Sequence, residues 1–249
     1  MKNYLLALAF LLVFSDSFCQ VPNQSSGQVI TGSNISIFDN LNSSNLSLES
    51  NSGTLRYENI EGSPYIDNAV GANKNLPIGK FYTHEFEFME TALARYNAFT
   101  DNIEVSLLED GVDYYLLIKK PNFLYIILGE KTYRAYEING ILGFFVLLSG
   151  DDKQHCVLLK KETIAFIKEE KASSSFVSGT PNSFKRMKDV YYFKLNNEFV
   201  EIPRKKKLFY SLFKEKNNII KSYITSNNLK ITKEEDLLKV ANYYNSLLK

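Results

Sequence analysis

The chain holds no tryptophan and only two cysteines and two histidines among its 249 residues, and this scarcity excludes much familiar catalytic and metal-binding chemistry. A structural zinc site needs four Cys or His ligands at short spacing. His84, His155, Cys19 and Cys156 offer none. His155 and Cys156 are neighbours, but consecutive residues on a strand point to opposite faces, so they cannot act on each other as base and nucleophile. Both read as packed or half-exposed strand residues. There is also no Gly-rich phosphate loop, no nucleophile elbow around a serine and no dinucleotide fingerprint. No cofactor, metal site or catalytic residue is therefore expected.

A strong charge of one sign is missing too. The formal net charge of +1 argues against nucleic acid as a partner, because a marked basic excess would be needed to hold phosphates. The average hides an asymmetry. Residues 20–183 carry 13 basic and 20 acidic side chains, a net −7, while residues 184–249 carry 15 basic and 7 acidic, a net +8. Mutual attraction of the two parts is expected.

Long apolar runs are equally scarce. The one at Leu5 to Phe14 is too short to span a bilayer, and no later stretch approaches the roughly eighteen uninterrupted apolar residues that a spanning helix requires. Lys2 before the apolar run, and small Ser17 and Cys19 after it, predict a signal peptide over residues 1–19 with cleavage before Gln20. The expected location is the periplasm or the outer cell surface. A lipidated Cys19 is the competing reading, although Asp16 and bulky Phe18 stand where a lipoprotein signal has an aliphatic and a small residue. Cleavage after Cys19 leaves Cys156 alone, so no intramolecular disulfide can form in that oxidising compartment.

What the chain does have is aromatic and apolar residues, at 14% and 45%, enough to bury a core. Residues 20–53 are dominated by Ser and Asn and predict a flexible lead-in, with a weak edge strand over 29–38. Residues 54–168 predict an antiparallel β domain. Runs such as 114–118, 123–128 and 143–148 are rich in aromatic and β-branched residues, and Asp110-Gly111, Gly129-Glu130 and Asn139-Gly140 punctuate them as hairpin turns. A meander is the natural order. Residues 81–89 alternate as a further strand, with Phe86 and Phe88 between Glu85, Glu87 and Glu90. Residues 169–183 lack periodicity and read as a linker.

Residues 184–249 predict a hairpin around Asn196-Asn197 and then three short helices opening after Pro203. Leu208, Phe209, Leu212 and Phe213 make one apolar stripe, and Ile219, Ile220, Tyr223 and Ile224 another. Thr232 and Glu235 are spaced as a capping box before Leu237, Leu238, Ala241, Tyr244 and Leu248. The fold class is thus α+β, mainly β: an antiparallel meander sheet followed by a hairpin and a C-terminal module of three short helices. Strands that are apolar at nearly every position need both faces covered. The helices supply one cover, and the 55–78 loop, another subunit or an apolar ligand the other.

Three pieces carry a family resemblance: ALARYNAFTDNIEV at residues 92–105, the strand pair GFFVLL and HCVLLKK, and the closing stretch from KKKLFYSLFKEK to LLKVANYYNSL. Together they resemble a family of uncharacterised secreted proteins from Bacteroidota-type bacteria. The similarity runs from about Leu55 to the end, and Arg95-Tyr96-Asn97 and the closing helices are its most specific parts. It implies an envelope protein and assigns no activity.

Two residue groups remain to be weighed for function. The run Arg204-Lys205-Lys206-Lys207 could grip an anionic partner such as lipid headgroups, polysaccharide or an acidic protein, although a solvated helix face is the commoner explanation for such a run. Carboxylates are numerous, but Asp110, Asp151 and Asp152 sit in turns where aspartate bonds locally, and nothing selects an acid pair. The expectation is an exported cell-envelope protein that binds an apolar ligand or another envelope protein. The alternative is a secreted hydrolase using an unidentified Asp/Glu pair.

Overall fold

The computed structural model describes residues 47–50, 60–66, 78–106, 115–118, 123–170 and 179–248. The leader, the 29–38 strand and the Asp110-Gly111 turn lie outside the described residues. The strands are β1 (Ser47–Ser50), β2 (Ile78–Tyr82), β3 (Phe88–Asn97), β4 (Asn102–Ser106), β5 (Tyr115–Ile118), β6 (Tyr125–Leu128), β7 (Lys131–Ile138), β8 (Ile141–Leu147), β9 (Cys156–Lys161), β10 (Ile164–Ile167), β11 (Ser183–Arg186), β12 (Val190–Leu195) and β13 (Glu198–Glu201). The helices are α1 (Lys206–Ser211), α2 (Asn217–Ser226) and α3 (Glu234–Ser246), with a 3-10 turn at Lys214–Lys216 between the first two.

Left-handed turn residues set the hairpins. Asn139 and Gly140, at φ +54° and +78°, reverse the chain between β7 and β8, and Asn196 and Asn197, at +49° and +71°, do so between β12 and β13. Positive φ at both central positions matches the twist of the flanking strands, and asparagine tolerates it better than other non-glycine residues.

The hairpins assemble into one antiparallel sheet in the order β1-β5-β4-β3-β2-β6-β7-β8-β9-β12-β13, with β10 and β11 forming a separate pair. The expected meander is present as two, β2 to β5 and β6 to β9, welded by the pairing of β2 with β6. Strand β12 pairs with β9, so the hairpin that follows the 169–183 segment continues the sheet that precedes it. Within that segment, Glu170 bridges Thr180, and residues 171–178 lie outside the described residues. Residues 47–50, expected to be flexible, form a strand along β5. Ladder bonds come from the backbone, so a Ser-rich composition does not prevent them.

Residues 81–89 are not the single strand their alternation suggests. The Thr83 hydroxyl accepts N–H bonds from Glu85 at 3.3 Å and Glu87 at 3.1 Å, and the Phe86 N–H reaches the Thr83 carbonyl at 3.0 Å. These local bonds turn the chain, with Phe86 at φ +65°. Alternation was read where a threonine-centred turn prevails.

The sheet curls. The rings of Tyr96 on β3 and Tyr133 on β7 are 4.8 Å apart, although β2 and β6 lie between those strands. In a flat sheet three strand spacings would hold them roughly 14 Å apart. The concave face encloses Phe81, Ala94, Tyr96, Ile103, Val105, Ile126, Tyr133, Phe144 and Val146. Val146 pairs with Lys160, which puts Cys156 and Leu158 on this same face, where the helices cover them. The opposite face buries Tyr125, Tyr136, Phe145, Leu147, Val157 and Leu159. Strand β8 is therefore covered on both sides by its own chain, which accounts for its unbroken apolar run.

The helices attach through Phe209, Phe213, Ile220, Ile224, Leu237, Val240, Ala241 and Tyr244, packed on Phe193 and Leu195 of β12. Fully burying each large apolar side chain stabilises by about 1.5–3 kcal/mol. The predicted capping box does not form. Lys233 occupies the N-cap of α3 without a side-chain bond, and Asp236 instead accepts the Lys230 N–H at 3.0 Å. That backbone bond holds the Asp236 carboxyl below the usual carboxylate range. Acids at Glu234, Glu235 and Asp236 favour this helix end through the macrodipole without a hydroxyl cap. Among the described residues no helix is long and apolar enough to cross a membrane.

Candidate site for an anionic partner

Several charged residues on the strands are drawn into buried pairs. Glu104 on β4, 1% exposed, receives Arg95 Nε and Nη2 at 2.6 Å each, Asn97 Nδ2 at 2.9 Å and the Tyr65 hydroxyl at 3.0 Å. Arg95 and Glu104 are direct cross-strand partners, so the β3–β4 register itself brings them together. The Arg95 guanidinium also lies over the Tyr65 ring, 4.2 Å from its centroid.

Two more acids follow the same plan. Glu162 receives the Tyr133 hydroxyl at 2.7 Å, Lys131 Nζ at 3.0 Å and Arg186 Nη2 at 3.1 Å. Asp152, read from the sequence as a turn residue that bonds locally, is buried on the far face and bonded to distant residues. It accepts the Tyr125 hydroxyl at 2.6 Å and lies 2.7 Å from Arg134 Nη1. Arg134 in turn sits over the Tyr125 ring, 4.4 Å from its centroid. Burial first, and the Asp152 hydrogen bond second, push the Tyr125 phenol above its ordinary pKa, so it stays a donor. An acid at a β8–β9 turn is pulled inward because β6 and β7 present two tyrosines and an arginine to it.

A fourth ion pair closes a split in the sheet. β8 pairs with β9 only at Val146 and Leu147, which leaves the earlier part of its edge open. There Asp101 accepts the Phe144 N–H at 3.2 Å and Lys161 Nζ donates to the Phe144 carbonyl at 2.9 Å, with Lys161 and Asp101 2.6 Å apart. Gly143 permits this, since a Cβ there would stand 2.9 Å from Asp101 Oδ2 and 3.0 Å from Lys161 Nζ. These residues close a backbone edge.

The residues weighed for nucleophilic chemistry are far from it. Cys156 is fully buried, burial alone pushes its thiol pKa up, and Asn245 of α3 grips its N–H and its carbonyl at 2.8 Å each. His155 is exposed with Nδ1 3.2 Å from Asn196 Oδ1, and His84 is exposed beside Glu85. Among the described residues no cluster of three potential metal ligands occurs.

The cationic run behaves differently from every pair above. Arg204, Lys205, Lys206 and Lys207 are all exposed, and among the described residues none has a carboxylate within ion-pair distance. Their helix has no acid in its first turn, and Lys205 at its N-cap makes no side-chain cap bond. Leu208, 52% exposed, comes next. The helix is nonetheless fixed, because Phe209 and Phe213 are buried against Phe193 at ring separations of 6.0 and 5.8 Å. The sequence run thus becomes a firmly mounted patch of four unpaired cations. Elsewhere on the helices, Asn218, Ile219, Ser222, Tyr223, Ser226, Asn227 and Tyr243 line an open groove of about 500 Å³. Tyr223 and Tyr243 in that lining are stacked, 3.8 Å between centroids.

Sequence reasoning found the cationic patch and missed the acid clusters. Their one legible signal was a charged residue inside an apolar strand, as with Arg95, Glu104 and Arg134. Comparison with known protein families, with curated proteins and with solved structures found no match to this chain.

Proposed function

We propose that this chain is an exported cell-envelope protein that works by binding rather than by catalysis, and that Arg204, Lys205, Lys206 and Lys207 contact its anionic partner. One contrast carries the reading. Six strand cations, Arg95, Lys131, Arg134, Lys160, Lys161 and Arg186, are each matched to a carboxylate, whereas the patch sets four cations at consecutive positions with no carboxylate matched to any of them among the described residues. Holding four like charges together at a helix start that disfavours cations costs stability, and an external anion recovers it. The buried acids that a hydrolase would recruit, Glu104, Asp152 and Glu162, already accept tyrosine hydroxyls and cations, which leaves them poorly placed to trade protons with a substrate. The leader over residues 1–19 supports export.

The test is binding of a soluble polyanion such as heparin by the purified protein at low ionic strength. Affinity should fall steeply with salt and collapse when all four residues are replaced by glutamine. Equal binding by the wild type and that variant would sink the assignment of the patch. Turnover of an envelope substrate, abolished by a single Asp or Glu substitution that spares stability, would sink the non-catalytic reading.

A further inference from the structure

The exposed leucine that follows the cations narrows the partner. Helix geometry places successive side chains about 100° apart, so Lys207 projects nearly opposite the buried Phe209 while Leu208 lies to one side of it. Lys207 and Leu208 are therefore both offered to the outside, one cationic and one apolar. A soluble polyanion satisfies the charges and leaves Leu208 in water. A layer of anionic headgroups over hydrocarbon satisfies both.

The cations point the same way. Three of the four are lysines, which are point charges on flexible stems and lack the fork that recognises one carboxylate or phosphate in fixed geometry. No side-chain hydrogen bond to a described residue orients any of them. Long unconstrained cations suit a laterally mobile field of charge better than a single shaped anion. The groove on α2 and α3 does not supply a pocket for them, since none of the four lines it.

We infer that the partner of this patch is the surface of an anionic lipid bilayer, with Arg204 to Lys207 among the headgroups and Leu208 entering the interface. The inference rests on the anionic-partner reading and adds the class of partner. Each basic residue near an anionic membrane changes partitioning about five-fold. Neutralising all four should then lower it on the order of a thousand-fold at low salt. Leu208, already half covered, should add a further factor of about five.

The experiment is co-sedimentation of the full chain with phosphatidylcholine vesicles containing about a third phosphatidylglycerol, between about 0.05 and 0.5 M salt. Comparing the wild type, the Arg204→Gln/Lys205→Gln/Lys206→Gln/Lys207→Gln variant and Leu208→Ser isolates the patch from any effect of the leader. All the altered residues are exposed, and unchanged thermal unfolding confirms that the fold is kept. Salt-sensitive binding lost in the four-site variant and weakened several-fold by Leu208→Ser is the expected result. Binding of heparin but not of vesicles would overturn the bilayer and leave the anionic-partner reading standing. Vesicle binding that is the same in the four-site variant, or insensitive to Leu208→Ser, would also overturn the bilayer assignment. Binding of neither overturns both.

Discussion

Replacing Glu104 by glutamine should destabilise the protein far more than any change on the surface of the sheet. The carboxylate is 1% exposed and takes four donor contacts, from Arg95 Nε and Nη2, Asn97 Nδ2 and the Tyr65 hydroxyl. Glutamine keeps the shape and one acceptor oxygen, but it removes the charge that balances the Arg95 guanidinium. Taking one partner from a buried pair costs about 3–5 kcal/mol. The Arg95 side chain is 13% exposed and recovers some hydration, so the lower end applies. A loss of about 3 kcal/mol corresponds to a fall in Tm of about 6–12 °C for a protein of this size. Urea unfolding should show a lower midpoint with an unchanged slope. Two controls sharpen the test. Glu137→Gln, on an exposed β7 position, should stay within about 0.5 kcal/mol. The double replacement Arg95→Met/Glu104→Leu should recover much of the loss, because it removes both charges rather than stranding one. A Tm drop under about 2 °C for Glu104→Gln would refute the view that this cluster holds β3, β4 and Tyr65 together.

Asn245→Leu should cost about 2–4 kcal/mol, since it strands the buried N–H and carbonyl of Cys156, and faster hydrogen exchange at the Cys156 amide should accompany it. A change under about 0.5 kcal/mol would mean that α3 is held by apolar packing alone. Cys156→Ser should destabilise by about 1–3 kcal/mol by placing a hydroxyl in an apolar site, and the native thiol should resist a thiol reagent until the protein unfolds. Rapid native labelling would contradict this. Tyr96, Tyr125, Tyr136 and Tyr191 have pKa values raised by burial first and a neighbouring carboxylate second. Their contribution is complete below the unfolded tyrosine pKa of about 10 and is lost as pH rises above it, so stability should fall in alkali. An absorbance titration in which all sixteen tyrosines ionise near pH 10 with the fold intact would refute it.

How much of the fold was legible depended on whether local chemistry or long-range pairing decided the matter. Asn139-Gly140 and Asn196-Asn197 were readable because positive φ is a property of those residues themselves. The helical stripes were readable in part: Phe209, Phe213, Ile220 and Ile224 become buried, whereas Leu208 and Ile219 of the same expected stripes are 52% and 41% exposed. The insertion of β2 between β3 and β6 was not readable. No residue in Ile78–Tyr82 says which of several apolar strands will lie beside it, because pairing strength is spread over the ladder and the packing on both faces. The turn at Thr83 failed for a subtler reason. Alternation of Phe and Glu at residues 85–88 is a strand signal, and a threonine hydroxyl two and four residues from two free N–H groups outweighs it. The capping box at Thr232 failed in the opposite sense, as the spacing was present and Asp236 provided a different stop.

The candidate site was legible only in its exposed half. A run of four cations can be seen in one dimension, because nothing has to be brought to it. The buried acids could not be seen so, because each is completed by residues from elsewhere in the chain. Tyr65 reaches Glu104 across 39 positions, Tyr125 reaches Asp152 across 27 and Tyr133 reaches Glu162 across 29. Arg95 and Asn97 both hold Glu104 on one face of β3, while the Tyr96 hydroxyl donates to Asp101 from the other at 2.7 Å, so three consecutive residues tie two acids to opposite faces of one strand. Arg95 tolerates least change, since removing its guanidinium takes away the cation that balances the buried Glu104 carboxylate. The cationic patch obeys the opposite rule. Its residues are completed by nothing in the described chain, so lysine and arginine should exchange there with little effect on stability, and only loss of charge should matter for binding. Arg204→Lys is the single change that separates the two rules: it should leave both Tm and polyanion affinity nearly unchanged, whereas Arg95→Lys should lower Tm by several degrees. Equal effects at the two positions would mean that the contrast between paired and unpaired cations has no functional content.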